Sequence, residues 1–288
     1  MRDLAGKVAV VTGGGSGIGA ALGRAFAAEG MDVVVADIEA ESAERIAAEL
    51  RGATAARGSM SREGRRVLAV RTDVSELESV EALAARTYAE LGACHVLCNN
   101  AGVLVMGALE TRTRKDWEWV LGVNLWGVIH GVAAFVPRML AQPGEKQIVN
   151  TGSIAGLVPG PGVGVYGTAK AAVVGLSEHL RHDLARHGIG VSVLCPGGVL
   201  TKILSSERNR PADLGRSKIS REDVLRIVGT GEIHPDEMQA PERIAAAVVA
   251  GIRANDAYIV THAHYREAVQ ARHAELMAAF DKADERRR

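Results

Sequence analysis

Tyr166 and Lys170 are the two residues whose types and spacing in this sequence indicate proton-transfer chemistry. They are four positions apart, so on a helix their side chains lie on the same face, one turn from each other. A free tyrosine has a pKa of about 10, which is too high for an effective base at neutral pH. A neighbouring ammonium favours the phenolate, which can accept a proton from a hydroxyl group. We therefore expect Tyr166 to act as a general acid and base, provided that the surrounding elements build a site around it.

Those elements are predicted by an alternation of strand-like and helix-like segments along most of the chain. Short valine-rich runs alternate with longer amphipathic stretches, a pattern typical of a parallel sheet covered by helices on both faces. The sequence thus predicts an α/β fold, a single-domain Rossmann-type doubly wound parallel sheet of about seven strands over residues 1–288. The predicted strands are 7–12, 32–36, 67–71, 95–99, 147–151, 190–195 and 257–260.

The segments between the strands predict the helices and two irregular regions. Thr113 and Asp116 have the spacing of a capping box at the start of a long helix. The polar stretch 52–66 is predicted to be an exposed connector, and the tail 284–288 is predicted to fray. Residues 202–240 are polar and too long for a simple connection, so they predict a substrate lid. The predicted helices are 17–28, 39–50, 76–91, 114–137, 165–187, one that begins at Pro241, and one that ends near Lys282.

A glycine-rich turn between the first strand and the first helix predicts a dinucleotide site. It fits the pattern G-x-x-x-G-x-G rather than G-x-G-x-x-G, and it lacks the Lys-Ser/Thr of a phosphate-binding P-loop. Glycines allow the backbone to turn sharply and approach a pyrophosphate, which then lies at the positive end of a helix. The residues predicted to contact the cofactor here are Gly13, Ser16, Gly17, Ile18 and Gly19.

Asp37, at the end of the second strand, predicts a preference for NAD(H) over NADP(H). A carboxylate at this position can accept hydrogen bonds from the adenosine ribose hydroxyls and repels a 2′-phosphate. Neither Ser16 nor Ile38 offers a compensating cation. The basic cluster of Arg62, Arg65 and Arg66 keeps the use of NADP(H) as an alternative, because a flexible arm could bring a guanidinium to the 2′-phosphate.

These features, taken with further motifs in the same order, resemble the short-chain dehydrogenase/reductase family over essentially the whole chain. The resemblance rests on the set, because a Tyr-x-x-x-Lys pair alone arises readily by chance. The matching residues are Thr12, Ser16, Gly17, Ile18 and Gly19; Asp73 and Val74; Asn99, Asn100, Ala101 and Gly102; Asn124; Ser153, Tyr166 and Lys170; and Pro196, Gly197, Gly198, Val199, Leu200 and Thr201.

The resemblance implies an NAD(H)-dependent oxidoreductase that interconverts a secondary alcohol and a ketone by hydride transfer. Its catalytic residues are then Asn124, Ser153, Tyr166 and Lys170. Ser153 holds the substrate oxygen, Lys170 also binds the nicotinamide ribose, and Asn124 holds a water that links Lys170 to solvent. The remaining implied cofactor contacts are Asp73, Val74, Asn100, Ala101, Gly102, Tyr166, Lys170, Pro196, Gly197, Val199 and Thr201. The resemblance also implies a homotetramer or homodimer.

Two stretches resemble a narrower group, the bacterial dehydrogenases that oxidise the benzylic alcohol of lignin-derived aryl ethers. They are residues 205–211 and residues 258–272. The uncharged loop 154–165 agrees with a small-molecule substrate that has an apolar, here aromatic, body. Alternatives are a reductase of another ketone class, ketoacyl or steroid-like, and a non-catalytic NAD sensor or scaffold. The sensor is disfavoured because it has no need of Tyr166.

Composition argues against other partners. Lys+Arg and Asp+Glu number 34 each and aromatic residues make up 3%, so neither nucleic acid nor an anionic membrane is an expected partner. No apolar run approaches the roughly 18 residues that span a bilayer, and no signal-peptide pattern is evident, so we expect a cytoplasmic protein.

Several residues that could hold a metal or an anion are predicted to be structural. Cys94, Cys98 and Cys195 show no disulfide framework or metal-ligand spacing. His262 and His264 are expected to be surface histidines, so we predict no metal site. Arg208 and Arg210 are expected to be solvated residues of the lid, and contact with an anionic group of the substrate is the alternative.

Overall fold

The central strands are short runs that are buried on both faces, as in the β-branched run Val8–Thr12, where every residue is buried. The computed structural model describes residues 1–56, 65–217 and 238–287. Within these residues seven strands form one parallel sheet in the order β3-β2-β1-β4-β5-β6-β7. This confirms the predicted doubly wound fold. The strands are β1 (Val8–Thr12), β2 (Asp32–Asp37), β3 (Val67–Arg71), β4 (Val96–Asn99), β5 (Lys146–Thr151), β6 (Ile189–Cys195) and β7 (Tyr258–Val260).

Two apolar cores, one on each face of the sheet, pack helices against it. Phe26 and Ile46 pack on one face, and Leu83 and Phe135 pack on the other. The helices are α1 (Gly17–Ala28), α2 (Ala40–Ala56), α3 (Leu77–Leu91), α4 (Arg114–Leu121), α5 (Gly127–Ala141), α6 (Gly164–Ala185), α7 (Pro241–Ala254) and α8 (Arg266–Glu285).

The strand order reverses beside β1, which opens a crevice at the carboxyl edge of the sheet. The parallel register aligns the strand ends there: Val11 pairs with Cys98, Asn99 with Asn150, and Thr151 with Leu194. The residues that immediately follow β1, β4, β5 and β6 therefore face one another across this crevice.

Two sequence predictions about the helices need correction, and a third is confirmed. Residues 52–56 belong to α2 rather than to a connector, and residues 57–64 lie outside the described part. The predicted helix 114–137 is divided by a π-helical turn, Gly122–Trp126, and then continues past Pro137 to Ala141. The capping box is confirmed, because the Asp116 backbone N–H donates to Thr113 Oγ1 at 3.3 Å and the Thr113 N–H donates to Asp116 Oδ2 at 2.8 Å.

The predicted lid is partly described. Its first part forms two short 3₁₀ segments, Ile203–Asn209 and Ala212–Leu214, and residues 218–237 lie outside the described part. Its function as a lid stays a prediction, as do the single domain and the frayed tail; α8 itself ends at Glu285.

The helical stretch Arg114–Ala141 is long and apolar enough to cross a membrane by length and composition alone. The expectation that no apolar stretch approaches this length was therefore wrong. Half of the most apolar 18-residue stretch of this helical region is buried inside the fold. A core helix of a water-soluble protein can have the same length and composition.

Gly131 on α5 provides a test of how tightly this helix packs on the sheet. A Cβ built there would lie 2.1 Å from Asn99 Oδ1, and Asn99 is buried and held by Asn150. We expect Gly131→Ala to lower the free energy of unfolding by about 1–3 kcal/mol through overpacking. The measurement is urea denaturation followed by circular dichroism.

Gly175 on α6 is the matched control, because a Cβ there meets nothing within 4 Å. Gly175→Ala should raise the free energy of unfolding by about 0.5–1 kcal/mol, the usual gain for alanine in a helix. Equal effects of the two substitutions would contradict the close packing of α5 on β4.

Candidate active site

A cavity of about 1020 Å³ occupies the crevice at the carboxyl ends of the strands. It brings together every predicted site residue except Gly19 and Asn124, which lie behind its wall. One end of the cavity is formed by the glycine turn and Asp37. The other end is formed by Ser153, Tyr166 and Lys170.

Lys170 is buried on α6, and its ammonium donates to the Thr151 carbonyl at 2.7 Å. Burial lowers the pKa of Lys170 to about 8. Its Nζ lies 5.6 Å from the centre of the Tyr166 ring, so the two side chains share a helix face as their spacing predicts.

Tyr166 faces the cavity and forms a hydrogen bond with Ser153. Burial raises the pKa of Tyr166, and the hydrogen bond with Ser153 opposes this shift. This direction is opposite to the one expected from Lys170 alone. Without further positive charge in the cavity, Tyr166 is therefore a protonated phenol at neutral pH.

Ser153 begins the short 3₁₀ turn Ile154–Gly156 that follows β5. Its Oγ accepts a hydrogen bond from the Ala155 N–H at 3.1 Å and donates to the Pro196 carbonyl at 3.4 Å. The hydroxyl thus connects the turn after β5 to the turn after β6, and it is held within reach of Tyr166.

Asn124 is fully buried in the π-helical turn. Its Oδ1 accepts from the Val103 N–H at 2.8 Å, and its Nδ2 donates to the Val103 carbonyl at 2.9 Å. A Cβ on Gly102 would lie 3.5 Å from Asn124 Oδ1 and 3.6 Å from Lys170 Nζ, so these two side chains flank Gly102. The side chain thus holds the backbone beside Lys170. The water implied by the resemblance stays a prediction.

The glycine turn packs too closely against its neighbours to accept side chains. Gly13 has φ +63°, and a Cβ there would lie 2.8 Å from the Ala101 Cα. A Cβ on Gly19 would lie 2.1 Å from the Gly13 carbonyl oxygen. The first turn of α1 carries no acidic residue, and its N-terminus opens on the cavity through Ser16 and Gly17. Such a terminus suits an anion.

Asp37 is fixed by two backbone groups. Its Oδ2 accepts from the Gly15 N–H at 2.8 Å, and its Oδ1 accepts from the Glu39 N–H at 3.0 Å. Burial raises the pKa of this carboxyl, and the two N–H donors oppose that shift. The carboxylate is thereby oriented at the end of the cavity beside the glycine turn.

Arg66 of the basic cluster is held away from this end of the cavity. Arg66 pairs with Asp32 at 2.8 Å, at the start of β2, whereas Asp37 is at the end of that strand. Arg65 precedes it in the chain, and Arg62 lies outside the described residues. Arg208, which the sequence placed only in the lid, lies close enough to Asp37 for its charge to act to lower the pKa of that carboxyl.

His262 is buried, so its prediction as a surface residue was wrong. Its Nδ1 accepts from the Gly197 N–H at 3.0 Å, and its Nε2 donates to the Gly198 carbonyl at 2.9 Å. These bonds hold the turn that follows β6 in place. Pairing of β7 with β6 brings His262 beside that turn, whereas His264 is exposed.

The side chain of Arg210 is also buried, contrary to its prediction as a solvated lid residue. Its Nη1 lies 2.7 Å from Asp116 Oδ1 and 3.1 Å from Glu207 Oε1, and its guanidinium lies 5.1 Å from the centre of the Trp119 ring. Burial opposes the ionisation of Asp116, but hydrogen bonds from Thr113 and Arg210 hold the pKa of this carboxyl below its usual value. These contacts tie the predicted lid to α4.

The wall around Tyr166 is largely apolar. Burial at Cys195, next to this wall, raises the pKa of its thiol to about 12, so it stays protonated at neutral pH. Within the described ranges no three metal-ligating side chains cluster. The apolar and aromatic side chains that line the cavity include Leu104, Met106, Trp119, Val158, Pro159, Val163, Leu204, Met238 and Tyr265.

Known proteins share this architecture. The family model described as short chain dehydrogenase matches residues 7–212. The C alpha-dehydrogenase of Sphingobium sp. is 35% identical over 94% of this chain and 85% of that protein. The 1-deoxy-11-beta-hydroxypentalenate dehydrogenase of Streptomyces exfoliatus is 38% identical over 77% of this chain and 78% of its own length.

A solved structure agrees with these relatives. It is a short-chain dehydrogenase/reductase from Burkholderia phymatum in complex with NAD, which is 38% identical, with a TM-score of 0.88 and coverage of 97% of both chains. The segment matched by the family model contains the glycine turn together with Ser153, Tyr166 and Lys170. This chain belongs to the short-chain dehydrogenase/reductase family.

Proposed function

We propose that this oxidoreductase uses NAD(H) to interconvert a secondary alcohol and a ketone, with Tyr166 as its general acid and base. The observation that carries the proposal is the single cavity that joins Asp37 and the glycine turn to Ser153, Tyr166 and Lys170. One end has the chemistry to hold a dinucleotide, and the other has the chemistry to move a proton.

The residues present fit NAD(H). The tight backbone at Gly13 and Gly19 leaves room for a pyrophosphate beside the N-terminus of α1, as phosphate sites on helix termini require. Asp37 has a carboxylate oriented to accept hydrogen bonds from ribose hydroxyls. The NAD complex of the Burkholderia phymatum relative supports the same choice.

In alcohol oxidation, Ser153 holds the substrate oxygen and Tyr166 Oη accepts the hydroxyl proton. NAD+, when bound, supplies the hydride acceptor and a positive charge beside the phenol. Lys170 adds a second positive charge on the same side, within about 6 Å of the Tyr166 ring. Tyr166 returns the proton to the carbonyl oxygen when the reaction runs in reverse.

The apolar wall supports a substrate with an aromatic body. Trp119 and Tyr265 contribute aromatic surface to the cavity lining, and Met106 and Met238 contribute adaptable apolar surface. The Sphingobium relative is a C alpha-dehydrogenase, which agrees with oxidation of an alcohol carbon next to a ring. We therefore propose benzylic secondary alcohols as the substrate class.

We also propose that the chain acts as a cytoplasmic homo-oligomer. The exposed Trp126, Leu276 and Phe280 provide apolar surface that a second copy could cover. The free thiols of its cysteines agree with a reducing compartment.

Tyr166→Phe separates the enzyme from a non-catalytic NAD sensor. We expect kcat to fall at least about 100-fold, the usual contribution of a general acid or base, with the NAD+ dissociation constant changed by less than a factor of about 3. The measurements are reduced-nicotinamide absorbance and calorimetric titration with NAD+. Unchanged turnover would contradict the proposed mechanism.

Lys170→Met tests the electrostatic role of the buried ammonium. Loss of a positive charge destabilises the phenolate, so the acid limb of the kcat profile for alcohol oxidation should move to higher pH by at least about one unit. The profile is measured at saturating NAD+. Lys170→Arg keeps the charge and should shift the limb less. An unshifted limb in Lys170→Met would contradict the role of the ammonium.

A panel of alcohols with NAD+ tests the substrate class. We expect kcat/KM for 1-aryl secondary alcohols to exceed that for alicyclic secondary alcohols of equal size by at least about tenfold, since ring contacts contribute about 1 kcal/mol each. The aryl preference should decrease in Trp119→Leu. An equal or reversed preference would favour the ketoacyl or steroid-like alternative.

A further inference from the structure

Arg208 lies in the segment that follows the nicotinamide-side turn, yet its partner lies at the opposite, adenosine end of the cavity. Its Nε donates to Glu39 Oε1 at 2.6 Å. The same guanidinium donates to the Ser205 carbonyl at 3.0 Å, which orients it from behind. The ion pair joins residues 169 positions apart in the sequence.

Glu39 is two residues beyond Asp37, and the two carboxylates are structurally linked. The Glu39 N–H donates to Asp37 Oδ1 at 3.0 Å, and the Ser42 hydroxyl donates to Glu39 Oε2 at 3.1 Å. The positive charge of Arg208 favours the ionised form of both carboxyls. Arg208 is therefore within electrostatic reach of the carboxylate proposed to bind the adenosine ribose.

Arg208 has the chemistry of a phosphate ligand. A guanidinium binds phosphate oxygens through paired N–H donors, and Arg208 lines the cavity with 36% of its side chain exposed. In the present arrangement Glu39 occupies its Nε–H and neutralises its charge. Asp37 and Glu39 together carry one more charge than the Arg208 guanidinium, so Arg208 cannot neutralise both carboxylates.

We propose that the Glu39–Arg208 pair is a second determinant of cofactor choice beside Asp37. Glu39 neutralises and occupies Arg208, a cation that would otherwise bind the 2′-phosphate of NADP(H). The inference rests on the proposed use of NAD(H). Removal of Asp37 alone leaves Arg208 paired with Glu39, so the affinity for a 2′-phosphate increases little. Removal of both carboxylates leaves Arg208 free and gives this end of the cavity a net positive charge.

The test is a set of calorimetric titrations of NADP+ and NAD+ against Asp37→Ser, Asp37→Ser/Glu39→Gln, and Asp37→Ser/Glu39→Gln/Arg208→Gln. We expect the second variant to bind NADP+ at least about tenfold more tightly than the first, the range for one charge-assisted hydrogen bond. The third variant should lose that gain in affinity. A variant with Arg208→Lys instead of Arg208→Gln should keep most of it. Raising the salt concentration should reduce the gain.

Arg45 is the matched control, because it also lies close to this end of the cavity, with its Nη2 donating to the Gly15 carbonyl at 3.1 Å. Arg45→Gln should leave the gain from Glu39→Gln intact. A gain that survives Arg208→Gln, a gain that vanishes with Arg45→Gln, or no gain at all would overturn the inference. Failure of the proposed function would look different: Asp37→Ser would then leave the ratio of the NAD+ and NADP+ dissociation constants unchanged.

Discussion

The buried ammonium of Lys170 constrains the whole of the active end of this molecule. A charge removed from water is unfavourable unless strong hydrogen bonds replace its hydration. The Thr151 carbonyl at the end of β5 supplies one such bond, at 2.7 Å, and thereby ties α6 to the sheet. Tyr166, one turn earlier on the same helix, is placed over the same strand end. Burial lowers the pKa of Lys170 to about 8, so it keeps a proton at neutral pH with little margin.

The rest of the site depends on what surrounds this ammonium. Ser153 joins the turn after β5 to the turn after β6, and His262 holds that second turn from the far side. Asn124 closes the opposite flank across Gly102. Burial raises the pKa of Tyr166 in the protein alone, so in the proposed reaction the phenolate needs the charge of both the bound cofactor and Lys170. This coupling would keep the base inactive until the cofactor is in place.

Much of this arrangement could be predicted from the sequence, for a physical reason. Valine-rich runs predict buried parallel strands, and parallel strands bring their carboxyl ends to one edge of the sheet, where Asp37, Asn100 and Ser153 all lie. The interactions that were missed join distant parts of the chain. Glu39 and Arg208 carry no local pattern that pairs them, and the burial of His262 and Arg210 follows from strand pairing and from α4. The π-helical turn at Asn124 leaves the apolar periodicity of its helix almost unchanged, so the sequence predicted a continuous helix there.

The central claim is that hydrogen leaves an alcohol carbon for NAD+ while Tyr166 takes the hydroxyl proton. The most direct measurement uses a 1-aryl secondary alcohol deuterated at the carbinol carbon, followed by mass spectrometry of the nicotinamide cofactor. The account predicts that the deuterium appears in the reduced cofactor, that the ketone forms in equal amount, and that Tyr166→Phe abolishes both. Ketone formation without label in the cofactor, or NAD+ binding without oxidation of any alcohol in the panel, would contradict it.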